Sequence, residues 1–123
     1  MNILVTGGAG GIGSTLCMLL QRNGHTVYAY DNLNNGYIEN LYENGKRVCE
    51  FIFGDIRDTV KLIRTLKEKD INVVVHLAAI TALPVCESNP SECMDVNVAG
   101  TVSVLHAARQ FGIRVICAST SAI

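Results

Sequence analysis

The stretch Thr6-Gly7-Gly8-Ala9-Gly10-Gly11-Ile12-Gly13 lies directly after the apolar run Ile3-Leu4-Val5 and before a helical pattern. Its five glycines let the backbone turn sharply and let a phosphate approach the chain closely. The N–H groups at the start of the following helix would then point at the anion. A glycine-rich turn between a strand and a helix therefore predicts a pyrophosphate-binding site, here with the spacing Gly7-x-x-Gly10-x-x-Gly13.

The end of the next predicted strand supplies a second signal. Asp31 lies 18 residues after Gly13, and a carboxylate at that place can accept both hydroxyls of an adenosine ribose. Its charge would repel a 2′-phosphate, and no Arg or Lys occurs from 31 to 45 to reverse that preference. The two signals together predict NAD rather than NADP as cofactor. The alternative is an aspartate that only opens a turn.

Strand and helix patterns alternate along the chain. Short apolar runs predict five strands: Asn2–Val5, Thr26–Tyr30, Val48–Phe53, Val73–Val75 and Arg114–Ala118. Repeated β-α-β units with helix-length crossovers imply parallel strands and right-handed connections. We therefore expect an α/β fold with a doubly wound, Rossmann-like parallel sheet in the order 3-2-1-4-5. Residues 1–123 would form one NAD-binding domain, with no substrate domain.

Three helices are predicted from apolar residues at helical spacing. The first has the apolar face Ile12, Leu16, Leu19 and Leu20, and the second, capped by Asp58, has Val60, Ile63 and Leu66. A loop over residues 80–90 precedes a long helix from about Ser91 to Phe111. That helix carries on one side Met94, Val98, Val102 and Leu105.

Composition excludes several classes of function. The net charge of −1 provides no basic surface for nucleic acid or for an anionic membrane. No apolar run approaches the roughly 20 residues of a membrane span. The five cysteines are odd in number and include no C-x-x-C pair. They predict reduced thiols in a cytoplasmic protein, and neither a metal site nor a disulfide framework.

Five ordered motifs resemble the extended short-chain dehydrogenase/reductase family. They are Thr6-Gly-x-x-Gly-x-x-Gly13, Asp31-Asn32-Leu33, Gly54-Asp55-Ile56-Arg57-Asp58, His76-Leu77-Ala78-Ala79 and Asn97-Val98-x-Gly100-Thr101. Within that family the chain is most similar to NAD-dependent nucleotide-sugar epimerases and dehydratases. The resemblance implies NAD as cofactor and a nucleotide sugar as substrate of the complete enzyme, with transient hydride transfer from a sugar carbon.

The resemblance also implies roles for individual residues. Around the pyrophosphate and ribose it places Gly7, Gly10, Gly11, Ile12, Gly13, Asp31, Asn32, Asn35 and Gly36. Around the adenine and towards the nicotinamide it places Asp55, Ile56, Leu77, Ala78, Ala79 and Asn97. Thr120 stands where the family has its catalytic Ser or Thr, and Ser121 is the alternative in the next register. His76 is expected to be a scaffold histidine, and Arg57 a turn residue.

The chain departs from the family pattern in ways that limit its expected activity. Gly11 stands where a large side chain is usual, and Thr81 replaces a lysine of the best-known epimerases. The family base is the Tyr of Tyr-x-x-x-Lys, which is absent from this sequence, whose last tyrosine is Tyr42. We therefore expect an N-terminal portion that binds NAD but is catalytically incomplete by itself. A stand-alone NAD-binding or redox-sensing module, or a self-associating remnant, are the alternatives, and a homo-oligomer is expected.

Overall fold

The computed structural model describes residues 1–79 and 83–118, and side chains within that part except those of residues 83–85. The strands found there are β1 (Asn2–Thr6), β2 (Thr26–Asp31), β3 (Tyr42–Glu43), β4 (Lys46–Arg47), β5 (Glu50–Phe53), β6 (Val73–His76) and β7 (Arg114–Cys117). The helices are α1 (Gly11–Arg22), α2 (Thr59–Glu68), α3 (Leu83–Ser88), α4 (Pro90–Met94) and α5 (Gly100–Arg109). A 3₁₀ turn covers Ile38–Leu41, and a π-helical segment, Asp95–Ala99, joins α4 to α5.

Five parallel strands form the central sheet in the order β5-β2-β1-β6-β7. This is the predicted order, since β3 and β4 pair only with each other in a small hairpin. Thr6, at the end of β1, pairs with Tyr30 on one side and with His76 on the other. The register therefore brings the segments that follow β1, β2 and β6 to the same edge of the sheet.

Helices cover both faces of the sheet because its side chains alternate in direction. Val5 and Ala29 are buried on the face beneath α1, with Cys17 of that helix. Leu4 and Val74 are buried on the opposite face, in a core that includes residues of α2 and α5. Burial on both faces explains why the central strands read as continuous apolar runs.

The buried helix faces agree with the predicted ones only in part. Ile12 is 80% exposed and Leu19 49% exposed, while α1 buries Gly13, Ser14 and Cys17. The other two residues of the predicted face, Leu16 and Leu20, pack against the core. Small residues lie where α1 meets the glycine turn, since a Cβ on Gly13 would lie 2.1 Å from the Gly7 carbonyl oxygen. In α2, Leu66 is buried and Ile63 packs against the core as predicted, whereas Val60 is exposed and Leu62 is buried in its place. Asp58 caps the helix as predicted.

The region before the long helix also differs from the prediction. Part of the expected loop over residues 80–90 is the short helix α3. The long helix begins at Pro90, with Asn89 as its N-cap, and continues through the π segment to Arg109. The third long strand begins at Glu50, two residues later than expected.

Two cysteines contradict the prediction of five reduced thiols. Cys86 and Cys93 form a disulfide, with Cα atoms 5.3 Å apart, whereas Cys17, Cys49 and Cys117 are free. Sequence spacing concealed this pair because the turn at Asn89-Pro90 folds α3 back onto α4. Disulfides are rare in the cytosol, so the cytoplasmic location stays a prediction. In the described part of the chain, no helix is long and apolar enough to cross a membrane.

Candidate functional site

A pocket opens at the carboxyl edge of the parallel sheet, where ligands bind in open α/β folds. The glycine turn after β1, the loop after β2, the turn after β5 and the segment after β6 all contribute to it. Of the predicted cofactor residues, it is lined by Gly7, Gly10, Asp31, Asn32, Asn35, Gly36, Asp55, Ile56, Leu77, Ala78 and Ala79. Sequence reasoning did not assign to it the lining residues Tyr30, Asn34, Gly54, Arg57, Glu92 and Val96.

The glycine turn is held against the strand ends by its backbone. Gly7 has a φ of +68°, a conformation that L side chains rarely adopt. Its N–H donates to the Tyr30 carbonyl at 2.9 Å. A Cβ on Gly13 would lie 2.1 Å from the Gly7 carbonyl oxygen, so a side chain there would push α1 away from the turn.

The first turn of α1 supplies backbone donors beside the pocket. Gly10 is the N-cap residue and has an extended conformation without a side-chain cap. Gly11, Ile12 and Gly13 follow it, and N–H groups in a first helical turn have no intrahelical acceptor. They do not line the pocket themselves, but they adjoin Gly10, which does. An anion placed here would meet both these donors and the positive end of the helix dipole.

Asp31 ties the glycine turn to the loop after β2. Its Oδ2 accepts the Ala9 N–H at 2.9 Å, and its Oδ1 accepts the Leu33 N–H at 2.8 Å. Asn32 makes a similar turn by accepting the Asn34 N–H at 3.0 Å. Asp31 is 9% exposed, and its carboxylate keeps unused lone pairs, because each oxygen can accept more than one hydrogen bond. It is therefore both a structural acceptor and a group open to a ligand.

Charged side chains form the wall after β5. Arg57 donates to both oxygens of Asp55, at 3.0 Å from Nε and 2.7 Å from a terminal nitrogen. Its other terminal nitrogen donates to Asp95 of the π segment at 2.9 Å. These hydrogen bonds from the guanidinium hold the pKa of Asp55 below its ordinary value. Arg57 is more than the predicted turn residue, and only the contact with Asp95, 38 residues away, reveals this.

The segment after β6 lies directly under the glycine turn. A Cβ on Gly7 would be 2.9 Å from the Ala78 nitrogen. The Leu77 and Ala78 N–H groups donate to Thr6 Oγ1 at 3.0 and 3.1 Å. His76 is buried, and burial lowers the pKa of its imidazole. It contacts the hydroxyls of Thr6 and Thr101, which agrees with its predicted scaffold role.

The remaining predicted residues are less central. Asn97 is not among the described lining residues; its helical neighbour Val96 is. Both residues belong to the π segment Asp95–Ala99. Thr81, Thr120 and Ser121 lie outside the described residues. Among residues 1–79 and 83–118, no group of three or more His, Cys, Asp or Glu could hold a metal ion.

Comparison with known families gives one consistent result. Residues 3–123 match the model of the NAD dependent epimerase/dehydratase family. A UDP-glucose 4-epimerase of Klebsiella pneumoniae is 38% identical over 99% of this chain and 90% of the relative. A UDP-glucose 4-epimerase of Mycolicibacterium smegmatis is 41% identical over 98% of this chain.

The fold agrees equally well with solved structures. The UDP-glucose-4-epimerase of Stenotrophomonas maltophila, crystallised with bound NAD and formylated UDP-arabinopyranose, superposes with a TM-score of 0.92 at 33% identity. The match covers 98% of this chain and 37% of that one. The chain likewise covers 39% of the mycobacterial relative. It thus spans somewhat over a third of these two proteins, but most of the Klebsiella one.

Proposed function

The chain belongs to the NAD dependent epimerase/dehydratase family, and we propose that it forms the NAD-binding part of a nucleotide-sugar epimerase or dehydratase. One observation carries the proposal. A single pocket joins the glycine turn, the Asp31 carboxylate and the small residues Ala78 and Ala79 at one edge of the sheet. Each of these features fits a different portion of a dinucleotide.

The chemistry of the donors and acceptors suits NAD along the pocket. The pyrophosphate would lie at Gly10 and the first turn of α1, where backbone N–H groups and the helix dipole favour an anion. The adenosine ribose would donate to Asp31. The adenine would lie beside Ile56, and the nicotinamide half would extend over Ala78. Asn32, Asn35 and Gly36 would border the ribose.

The charged side chains of the pocket, Asp31 and Arg57, favour NAD over NADP. A 2′-phosphate would come close to the Asp31 carboxylate and would need a cation to offset the repulsion. Arg57 is the cation among the described lining residues, and its guanidinium is already held by Asp55 and Asp95. Its charge is therefore already balanced by two carboxylates, which leaves little of it to offset the repulsion of a 2′-phosphate.

Bound NAD would supply a hydride acceptor for a sugar carbon. Removal of the hydroxyl proton needs a base, and a tyrosine must have its pKa lowered to act near neutrality. Tyr30 does not fit, because burial and the nearby Asp58 and Asp55 carboxylates raise its pKa. We propose that Thr120, or Ser121 in the alternative register, hydrogen-bonds the sugar. The proton acceptor would come from residues outside these 123.

An apolar stripe on the long helix supports self-association. Met94, Val98, Val102 and Leu105 are exposed, with Val98 56% accessible. Exposed contiguous apolar side chains on a helix mark a contact surface. We propose that a second copy of the chain covers this stripe.

Calorimetric titration with NAD and NADP tests the cofactor assignment. We expect heat from NAD and weaker binding of NADP. Gly13→Ala should abolish binding, because its Cβ would displace the Gly7 carbonyl. Gly24→Ala is the matched control: it adds a methyl at a φ of +88° at the end of α1, away from the pocket. It should lower stability yet keep NAD affinity. No heat with either nucleotide would refute the proposal.

A further inference from the structure

A continuous chain of side-chain hydrogen bonds crosses the sheet edge behind the pocket. Thr6 Oγ1 lies 2.7 Å from His76 Nδ1, and His76 Nε2 lies 3.0 Å from Thr101 Oγ1. Thr101 Oγ1 in turn donates to the Asn97 carbonyl at 2.7 Å. This series of hydrogen bonds begins at the end of β1, passes through the last residue of β6 and ends in the long helix. Thr6 is fully buried and His76 nearly so.

The partners determine the direction of every proton in this chain. Thr6 Oγ1 accepts the Ala78 N–H and shares the Leu77 N–H with the Thr6 backbone carbonyl, so its lone pairs already face backbone donors. Its own hydrogen must therefore go to His76 Nδ1. At the other end, Thr101 gives its hydrogen to the Asn97 carbonyl, so its oxygen must accept from His76 Nε2. The imidazole is thus assigned as the neutral tautomer protonated at Nε2.

The other neutral tautomer of His76, protonated at Nδ1, does not satisfy these hydrogen bonds. If Nδ1 carried the proton, Thr6 Oγ1 would receive three donors while its own hydrogen had no acceptor. A buried, unsatisfied hydroxyl is costly. The neutral Nε2–H ring is the one form of His76 that satisfies all five polar groups of the chain together.

Both ends of this hydrogen-bonded series lie against the pocket. At one end, the Leu77-Ala78 turn packs directly beneath Gly7, so a shift of this turn moves the glycine turn. At the other end lies the π segment, in which the Gly100 N–H bonds to the Asp95 carbonyl, five residues back. That segment carries Val96, a residue of the pocket wall. Two separate walls of the pocket are therefore connected through the imidazole ring of His76.

We propose that His76 is a positioning residue for the cofactor: its Nε2–H tautomer couples the turn beneath the glycines to the π segment of the long helix and so sets the spacing of the two walls. This inference rests on the proposed NAD site. It assigns to Thr6, His76 and Thr101 a shared role that is neither contact with the cofactor nor simple core packing.

The test uses Thr101→Val, which keeps the shape of the side chain but removes the acceptor for His76. Thr101→Ser keeps the hydroxyl and should restore the wild-type behaviour. Ser103→Ala is the matched control on the same helix. It removes the Ser103 hydroxyl, which lies 2.6 Å from Thr59 Oγ1, on α2.

Three measurements on the 123-residue chain decide the matter. Nitrogen-15 NMR of the His76 ring should show a protonated Nε2 and an acceptor Nδ1 in the wild type. Amide hydrogen exchange at Leu77 and Ala78 should be faster in Thr101→Val than in Thr101→Ser or Ser103→Ala. NAD affinity should fall about three- to tenfold in Thr101→Val alone, as for loss of one neutral hydrogen bond.

The outcomes separate this inference from the proposed function. If the wild type does not bind NAD, the proposed function fails, while ring tautomer and amide exchange still test the coupling. A ring protonated at Nδ1 overturns the inference. The inference is also overturned if the Leu77 and Ala78 amides of Thr101→Val exchange as slowly as in the wild type. It is likewise overturned if Ser103→Ala loses as much NAD affinity as Thr101→Val.

Discussion

Replacing Asp31 by Asn tests the two roles that the structure gives to this carboxylate. The wild-type side chain accepts the Ala9 and Leu33 N–H groups with separate oxygens. Asparagine has one carbonyl oxygen, so one N–H would lose its acceptor and the other would lose its charged partner. A hydrogen bond to a charged group contributes about 1.5–3 kcal/mol. We expect the free energy of unfolding to fall by about 2–3 kcal/mol.

Cofactor binding should respond in a way that stability alone does not explain. Loss of the charged acceptor for the ribose hydroxyls should weaken NAD binding about 10- to 100-fold, at about 1.4 kcal/mol for each factor of ten. Loss of the negative charge should relieve the repulsion of a 2′-phosphate, so the ratio of NAD to NADP affinity should shrink. A loop that merely loosened would weaken both nucleotides alike.

Urea unfolding and calorimetric titration measure these two effects. Asp58→Asn is the control, because Asp58 also accepts a backbone N–H, from Lys61 at 3.1 Å, at the start of α2. Asparagine caps helices as well as aspartate does, so this variant should keep both stability and NAD affinity. Unfolding of Asp31→Asn at the wild-type midpoint would refute the structural reasoning. An unchanged NAD to NADP ratio would refute the ribose assignment.

Three further predictions follow from buried and exposed groups. Burial lowers the pKa of His76 below its ordinary 6.5, so as the pH drops the unfolded chain binds a proton at this ring before the folded chain does. The free energy of unfolding should therefore fall below pH 6.5, by up to about 1.4 kcal/mol per pH unit, and urea unfolding of His76→Asn should lack this pH dependence. Cys93→Ser should lose about 2 kcal/mol for the short Cys86–Cys93 loop in the absence of reductant, whereas five titratable thiols in the denatured, unreduced wild type would contradict the disulfide. Val98→Glu should shift sedimentation towards the monomer while the hairpin variant Tyr42→Glu should not; equal sedimentation of all three proteins would exclude the stripe as the contact between copies.

Local patterns carried much of the information about this fold. The alternation of strands and helices gave the sheet order, because β-α-β units admit few topologies. Asp58 was recognisable as a cap because a cap involves only the next three residues. The glycine turn and Asp31 were placed at one edge because parallel strands end on the same side. These inferences needed no knowledge of distant contacts.

Contacts between distant residues could not be read in the same way. The burial of Leu62 instead of Val60 depends on how α2 rotates against α5, and both faces of α2 carry apolar residues. The Cys86–Cys93 bond depends on the fold-back at Pro90. The Arg57–Asp95 pair depends on the position of the π segment, for which the sequence offered no signal.

The order of the elements, the glycine turn and the carboxylate at the end of β2 could be predicted from the sequence, because each follows from residues near one another in the chain. The hydrogen-bonded series Thr6, His76 and Thr101 depends on the folded structure, since the first two residues are 70 positions apart and the last two 25. Hydrogen bonds of that kind form only after packing has brought their strands and helix together. Local patterns therefore predict the glycine turn and the Asp31 carboxylate of the pocket, while the spacing of the pocket walls is a property of the folded chain.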